Sequence, residues 1–310
     1  MKRSELLVLA TVAVGDLRVP ARAQEPARYA GAGTPIEGDA LLFLAQSEGY
    51  FARAGVNVDV RAMNSGDAIA AAIVAGEVAV GSMNTVSLAI AHQNGIAIKI
   101  IAPGALYDSS VPGTQLMVRK DSPIRTGSDL NGKTVAVNVL KGSAQMAAYA
   151  WVDKNGGDSK SVRWVETPFS VMAAALEANR IDAASIPEPA ATAARATCRS
   201  LGAPNDAIAR RYLISQYVAS ESWIQTHADA ARRIRAALRA AAIWYDANRA
   251  QSVAPVAALT KQDPAVIARS IRSLFGESAE AGLVQPVIDV AARYGVLKGS
   301  FPASELIAQL

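Results

Sequence analysis

From residue 28 onward, short apolar runs alternate with longer Ala-rich stretches of helical period. The first runs predict strands at 28–33, 56–63, 78–80 and 96–102, separated by helices at 39–54, 66–75 and 85–93. A second set repeats the order, with strands at 115–119, 135–138 and 162–166, a short segment at 181–184, and helices at 143–155 and 169–179. Strands separated by helices are the pattern of a parallel sheet covered on both faces, so the chain reads as α/β with two similar units.

Residues 103–113, rich in Gly, Pro, Ser and Asp, suit a crossover between the units. A further strand is predicted at 212–219, and the pattern from 221 to the end is almost wholly helical. A chain that crosses back and finishes in helices can pack on its first unit. This predicts a discontinuous first lobe of 24–112 plus 214–310 and a continuous second lobe of 113–213. The two crossovers act as hinges, and a ligand cleft opens at the C-terminal ends of the strands.

The beginning of the chain follows another pattern. Lys2 and Arg3 precede an apolar run over 6–14, and Ala21-Arg22-Ala23 offers small residues for cleavage, so residues 1–23 read as a signal peptide cut near Ala23 and the mature protein as periplasmic. Gly15, Asp16 and Pro20 break any longer helix, and no later stretch approaches the ~20 apolar residues of a membrane span. The predicted leader carries Lys2, Arg3, Arg18 and Arg22 against Glu5 and Asp16, so its removal takes the net charge from +4 to +2. That charge is too small to imply nucleic acid or an anionic membrane as partner. The Arg-rich stretch 230–249 reads as the solvated face of an amphipathic helix.

Cys198 is the only cysteine, which excludes an intrachain disulfide and a cysteine metal cluster. His92 and His227 stand far apart without a metal-ligand spacing, so no metal, cofactor or catalytic residue is expected. Gly31, Gly33 and Gly38 lie in GAGTPIEG, which is not the GxGxxG of a dinucleotide fold, and Asp59 falls inside the second strand rather than at its end.

Three pairs, Ser65-Gly66, Asn84-Thr85 and Gly142-Ser143, stand at predicted strand-to-helix junctions, where unpaired amides can hold an anion. Ser65, Asn84 and Ser143 also read as helix caps. Lys141 is the best candidate cation. Asp39, Asp67 and Glu188 lie on the same predicted rim; turned inward, they favour a ligand with an amine or ring N–H donors.

Four segments carry a family resemblance: SEGYFARAGVNVDV at 47–60, NSGDAIAAAIVAGEVAVGSMNT at 64–85, DSPIRTGSDLNGKTVAV at 121–137 and ALEANRIDAASIPEPA at 175–190. In this order and spacing the chain resembles the periplasmic binding proteins for nitrate, taurine and alkanesulfonates and their thiamine-pyrimidine-precursor relatives. The match runs from about 38 to 189 and continues more weakly over 217–249. The resemblance implies a two-lobed type II periplasmic binding fold, each lobe a mainly parallel sheet flanked by helices. It implies a monomer that captures a small sulfonate, taurine, nitrate or carboxylate anion without chemistry. Its partners are then the permease and ATPase subunits of an ABC transporter, with no nucleic acid and with the membrane met only through the transporter. The alternative ligand is a thiamine pyrimidine precursor or similar heteroaromatic. The alternative from the enzyme class is a pyrimidine precursor synthase, which needs a cysteine-rich segment; a regulatory effector domain needs a DNA-binding segment. Carried onto this chain, the ligand-binding candidates are Thr34, Asp39, Asn64, Ser65, Gly66, Asn84, Thr85, Lys141, Gly142, Ser143, Phe169 and Glu188.

Overall fold

The alternation of apolar runs and Ala-rich helices builds two five-stranded sheets of one design. The computed structural model describes residues 27–310, so the expected leader peptide lies outside the described residues. The first sheet is made of β1 (Arg28–Gly33), β2 (Asn57–Ala62), β3 (Val80–Asn84), β4 (Ile98–Pro103) and β12 (Ser215–Ser220), in the order β2-β1-β3-β12-β4. The second holds β6 (Thr114–Arg119), β7 (Thr134–Val137), β8 (Arg163–Glu166), β9 (Ala183–Pro187) and β10 (Cys198–Gly202), in the order β8-β7-β9-β6-β10. In the first, β1 pairs parallel with β2 and β3, while β12 runs antiparallel between β3 and β4. In the second, β7 pairs parallel with β8 and β9, while β6 runs antiparallel between β9 and β10. The reversed strand occupies the fourth place in both sheets, and each time it is the strand that enters after a crossover.

The crossovers themselves are paired. β5 (Ala105–Asp108) bonds antiparallel to β11 (Arg211–Leu213) and to β13 (Leu274–Phe275), making a third sheet. This corrects three expectations. The stretch 103–113 contains a strand, because Ala105, Leu106 and Tyr107 are buried. The single strand expected at 212–219 is two strands in different sheets. The break is Ile214, whose amide donates to Ala105 O at 2.8 Å and whose carbonyl accepts from Thr85 N at 3.1 Å. The helical C-terminal region contains β13.

Further differences have local causes. The helix expected at 39–54 splits into α1 (Ala40–Ser47) and α2 (Tyr50–Arg53), because Gly49 adopts φ 72°, a conformation that ends the helix. Gly55 takes φ 73° and stops the second piece as expected. β3 begins at Val80 and continues through Ser82 and Asn84, polar residues that read as loop but stand on the sheet's C-terminal edge. β10 escapes the pattern because Arg199 and Ser200 give it an edge-strand composition, paired only to β6.

Both faces of the first sheet are covered. On one, Leu41, Leu42 and Phe51 meet Val80, Tyr217 and, from α9 (Ala228–Ala247), Ile234, Leu238 and Tyr245. On the other, α3 (Gly66–Val74), α4 (Thr85–Gln93) and α12 (Ala281–Arg293) bring Ile69, Ile73, Leu88, Val287 and Ile288 onto Met83, Ile100 and Val218. Val80 and Met83 point to opposite faces, as the two-residue strand period requires. Each such fully buried aliphatic side chain contributes about 1.5–3 kcal/mol. In the second lobe, α6 (Phe169–Glu177) and α7 (Ala190–Ala194) cover one face through Met172, Leu176 and Ala191. Trp151 and Val152 of α5 (Ser143–Lys154) cover the other with Leu130. Met146 and Ala150, also on α5, belong to a first-lobe core, so the lobes are packed together. Arg232, Arg233 and Arg239 line the exposed face of α9, and no helix among the described residues is long and apolar enough to cross a membrane.

Candidate functional site

Three helices begin at the junction of the lobes. Ser65 caps α3, its hydroxyl accepting from Ala68 N at 3.2 Å. Asn84 caps α4: its Oδ1 accepts from Ser87 N at 2.9 Å, and its Nδ2 donates to Ser87 Oγ at 3.1 Å. Such caps are worth about 0.5–2 kcal/mol each. The third helix differs from expectation. Gly142 occupies the cap position of α5 and Ser143 is the first helical residue, so Ser143 does not cap. Its hydroxyl donates instead to Asn84 Oδ1 at 3.0 Å, across the two lobes. A Cβ placed on Gly66 would lie 3.6 Å from Asn84 Nδ2 and from Ser87 Oγ. The N-terminal ends of α3, α4 and α5 therefore converge on Asn84, each carrying the partial positive charge of its free amides.

The loop before α5 is tight. Lys141 stands at φ 60°, and its amide donates to Gln145 Oε1 at 2.5 Å. Its side chain is exposed at the rim, as are Asn64 and Asp67. Thr85 turns away from the cleft: fully buried, it donates to Leu213 O at 2.8 Å and accepts from Gln216 Nε2 at 2.6 Å, tying α4 to the second crossover. Phe169 opens α6 and packs against the core of the second lobe. Of the twelve candidates, Gly66, Asn84 and Ser143 meet directly, with Ser65 and Gly142 as the caps that aim their helices.

The acidic candidates are buried rather than arrayed on a rim, Asp67 excepted. Asp39 accepts from the Thr34 hydroxyl, and the hydroxyls of Ser82 and Ser215 also face its carboxyl. Burial pushes its pKa above the ordinary 3.8, and the hydroxyls offset only part of that. Glu188 lies in the second lobe with its side chain 3% exposed; its Oε2 accepts from Thr192 N at 2.9 Å, and its Oε1 faces Arg195 at 3.4 Å. Burial pushes its pKa up, the Thr192 bonds and Arg195 pull it down, and the charge of Glu37 adds to the upward shift.

Glu37 and its partners are absent from the sequence-based site. Glu37 lies in the 3-10 turn Glu37–Asp39 and pairs through Oε1 with Arg272 Nε and the Tyr245 hydroxyl. Arg272 also donates to Arg249 O at 3.1 Å and to Ser252 Oγ at 3.0 Å. The partners of Glu37 stand more than two hundred residues away, which no local pattern reveals.

The buried acid makes stability depend on pH. An acid whose pKa is raised by folding stabilises the native state fully below its unfolded value, and that contribution is lost as pH climbs through the native one. Asn in place of Asp39 keeps an acceptor for Thr34 but cannot ionise. The melting temperature of Asp39→Asn minus that of the wild type is therefore expected to grow as pH rises from about 3.8. Calorimetry over a pH series checks this, and a difference constant with pH would remove the titration from Asp39. Glu188 titrates in both proteins and cancels.

Cys198 pairs with Arg119, at the end of the second sheet opposite the one where Thr114 pairs with Pro187 beside Glu188. Burial raises its thiol pKa, the reverse of an activated nucleophile.

The fold has solved counterparts. The periplasmic aliphatic sulphonate binding protein SsuA from Escherichia coli superposes with a TM-score of 0.76 at 18% identity, covering 92% of this chain and 92% of that one. The periplasmic nitrate-binding protein NrtA from Synechocystis PCC 6803 gives 0.74 at 15% identity, over 91% of this chain and 85% of that one. A Cys-to-Ser mutant of DSZB, a desulfurization enzyme, in complex with biphenyl-2-sulfinic acid gives 0.69 at 14% identity over 91% of this chain and 96% of that one. At these identities the likeness carries the two-lobed α/β fold. No curated protein matches by sequence. The family model described as NMT1/THI5 like matches residues 39–251, more than half of the chain, and the protein belongs to that family.

Proposed function

We propose that this protein is the ligand-binding component of an ABC importer, exported with loss of residues 1–23, and that it closes two lobes over a small ligand with an anionic group. The observation that carries the reading is the convergence of three helix N-termini from both lobes on Asn84. Such ends hold an anion through amides and dipole, each worth about 0.3–1 kcal/mol when exposed and more when partly buried. The sulphonate and nitrate bound by two of the fold's relatives are anions of this kind. Residues 24–112 with 214–310 form the first lobe and 113–213 the second, a division supported by the strand pairing of the two large sheets. The permease and ATPase subunits are the partners, and the mature chain acts as a monomer.

The binding reading is preferred to an enzymatic one on the placement of Cys198, buried at the end of the sheet away from the cleft. The paired crossovers β5 and β11 suit a hinge. A thermal-shift panel of alkanesulfonates, taurine, nitrate, aromatic carboxylates and pyrimidines is expected to yield a stabilising anion. Small-angle scattering with that compound is then expected to show a smaller envelope. Stabilisation only by members that carry no anionic group, or an unchanged envelope despite measured binding, would overturn the reading.

A further inference from the structure

We infer that the second lobe carries an anion site of its own, remote from the cleft, where the guanidiniums of Arg125 and Arg199 hold a phosphate dianion between them. Cys198 of β10 pairs with Arg119, the last residue of β6, so the turn after β6 and the start of β10 lie side by side at the sheet end away from the cleft. Arg125 Nη1 donates to Ser122 O and, at 3.1 Å, to Ile124 O. Arg199 Nη2 donates to the same two carbonyls, to Ser122 O at 2.8 Å, and its Nε donates to Lys120 O at 3.3 Å. Two guanidiniums that share both acceptors are immediate neighbours, although they come from distant parts of the chain.

Like charges this close repel, and carbonyl dipoles offset only part of that repulsion. Neither guanidinium has a carboxylate partner among the described residues, because the two acids of the turn are engaged elsewhere. Asp121 pairs with Arg119 at 2.7 Å. Asp129 Oδ2 accepts from the amides of Arg125 and Thr126 at 2.8 and 2.9 Å and from the Thr126 hydroxyl at 3.0 Å, so its carboxylate closes the turn rather than meeting the guanidiniums. Lys120, whose ammonium donates to Ala196 O at 2.6 Å, adds a third positive charge at the same end of the sheet.

The turn holds the pair in place. Ser122 and Ile124 are buried, Ser122 N donates to Arg119 O at 3.1 Å, and Ile124 N donates to the Ser122 hydroxyl at 3.3 Å. A guanidinium offers five N–H donors in a planar fork. Arg125 uses Nη1 on the carbonyls, and its Nε and Nη2 have no acceptor among the described residues; the same is true of Arg199 Nη1. A tetrahedral oxyanion presents oxygens on several sides and can accept from both guanidiniums at once. A phosphate carries a charge of about −1.5 to −2 at neutral pH, which matches the two guanidiniums. A carboxylate has one charge and two coplanar oxygens, enough for one fork only.

The cleft also takes anions on the reading above, so the test uses the full chain carrying Asn84→Asp, whose added charge opposes an anion there. Inorganic phosphate is expected to bind this protein in calorimetric titrations at low salt, and to bind more weakly as salt is raised. Adding Arg125→Gln or Arg199→Gln is expected to weaken it about tenfold or more, the range of a hydrogen bond to a charged group. Arg210→Gln, which removes an exposed arginine at the second crossover, is expected to change nothing. Arg125 is exposed and bonds only carbonyls of its own turn, so Arg125→Gln keeps the test decisive if Arg199→Gln melts early. Phosphate binding that disappears with Asn84→Asp alone overturns the inference, and so does an affinity unchanged in Arg125→Gln or lowered equally by Arg210→Gln. Each of these results leaves the importer reading standing.

Discussion

Replacing Arg272 by Met is expected to lower the stability of the protein by about 3–5 kcal/mol, the range for removing one partner of a buried ion pair. The side chains of Arg272 and Glu37 are 10% and 1% exposed, so the charge left on Glu37 has no water to turn to. Losses elsewhere add to this. The guanidinium also satisfies Arg249 O and the Ser252 hydroxyl, and it lies 5.1 Å from the centre of the Tyr245 ring. The melting temperature should fall on the order of ten degrees. A double replacement, Glu37→Leu with Arg272→Met, separates charge from packing: recovery of most of the loss shows that the stranded carboxylate was responsible. If the single replacement costs under about 1 kcal/mol, the pair is solvated in solution and behaves like a surface bridge.

The network explains why the site was only partly legible. Thr85–Gln93 begins and ends where its helical period predicts, and the strand 28–33 has its expected bounds, because apolar periodicity and cap residues are local signals. The doubling of the α/β unit was legible for the same reason. What sequence could not carry was pairing at long range. β5 is a four-residue strand that looks like loop until β11 and β13 flank it. The reversed strands β6 and β12 hold the same place in the two sheets, yet nothing in their composition says so.

The site followed the same division. The helix starts after Ser65 and Asn84 were readable because a cap is a property of a few neighbouring residues, whereas at the third helix Ser143 read as the cap and Gly142 holds that position. Their convergence was not, since Asn84 and Ser143, 59 positions apart, meet only where the two lobes pack together. The acids were recognised by type but misplaced by environment. Asp39 looked like a residue on the cleft rim; it is a buried acceptor for Thr34. Glu37, two positions earlier, became significant only through Arg272 and Tyr245. Thr85 looked like half of an anion-holding pair, but its hydroxyl holds the second crossover against α4.

Asn84→Asp is expected to abolish most anion binding while leaving the fold intact. Asp and Asn cap helices equally well; an aspartate oxygen would still accept from Ser87 N and from the Ser143 hydroxyl, and the Ser87 hydroxyl, which accepts from Asn84 Nδ2, would turn to donate to the second oxygen. The change therefore adds one negative charge where three helix ends converge, and little else. Two like charges about 4 Å apart at an effective dielectric of about 20 repel by about 4 kcal/mol, close to a thousandfold in affinity. Asn84→Ala provides the contrast. It gives up the cap at about 0.5–2 kcal/mol of stability and introduces no charge, so its binding loss should be much smaller. Calorimetric titration of both variants with the best anion from the panel, beside their melting curves, separates the outcomes. A thousandfold loss in Asn84→Asp with an unchanged melting temperature places the anionic group at the helix ends. Undiminished affinity would move it elsewhere in the cleft, and with it the reason for three helices to begin at one point.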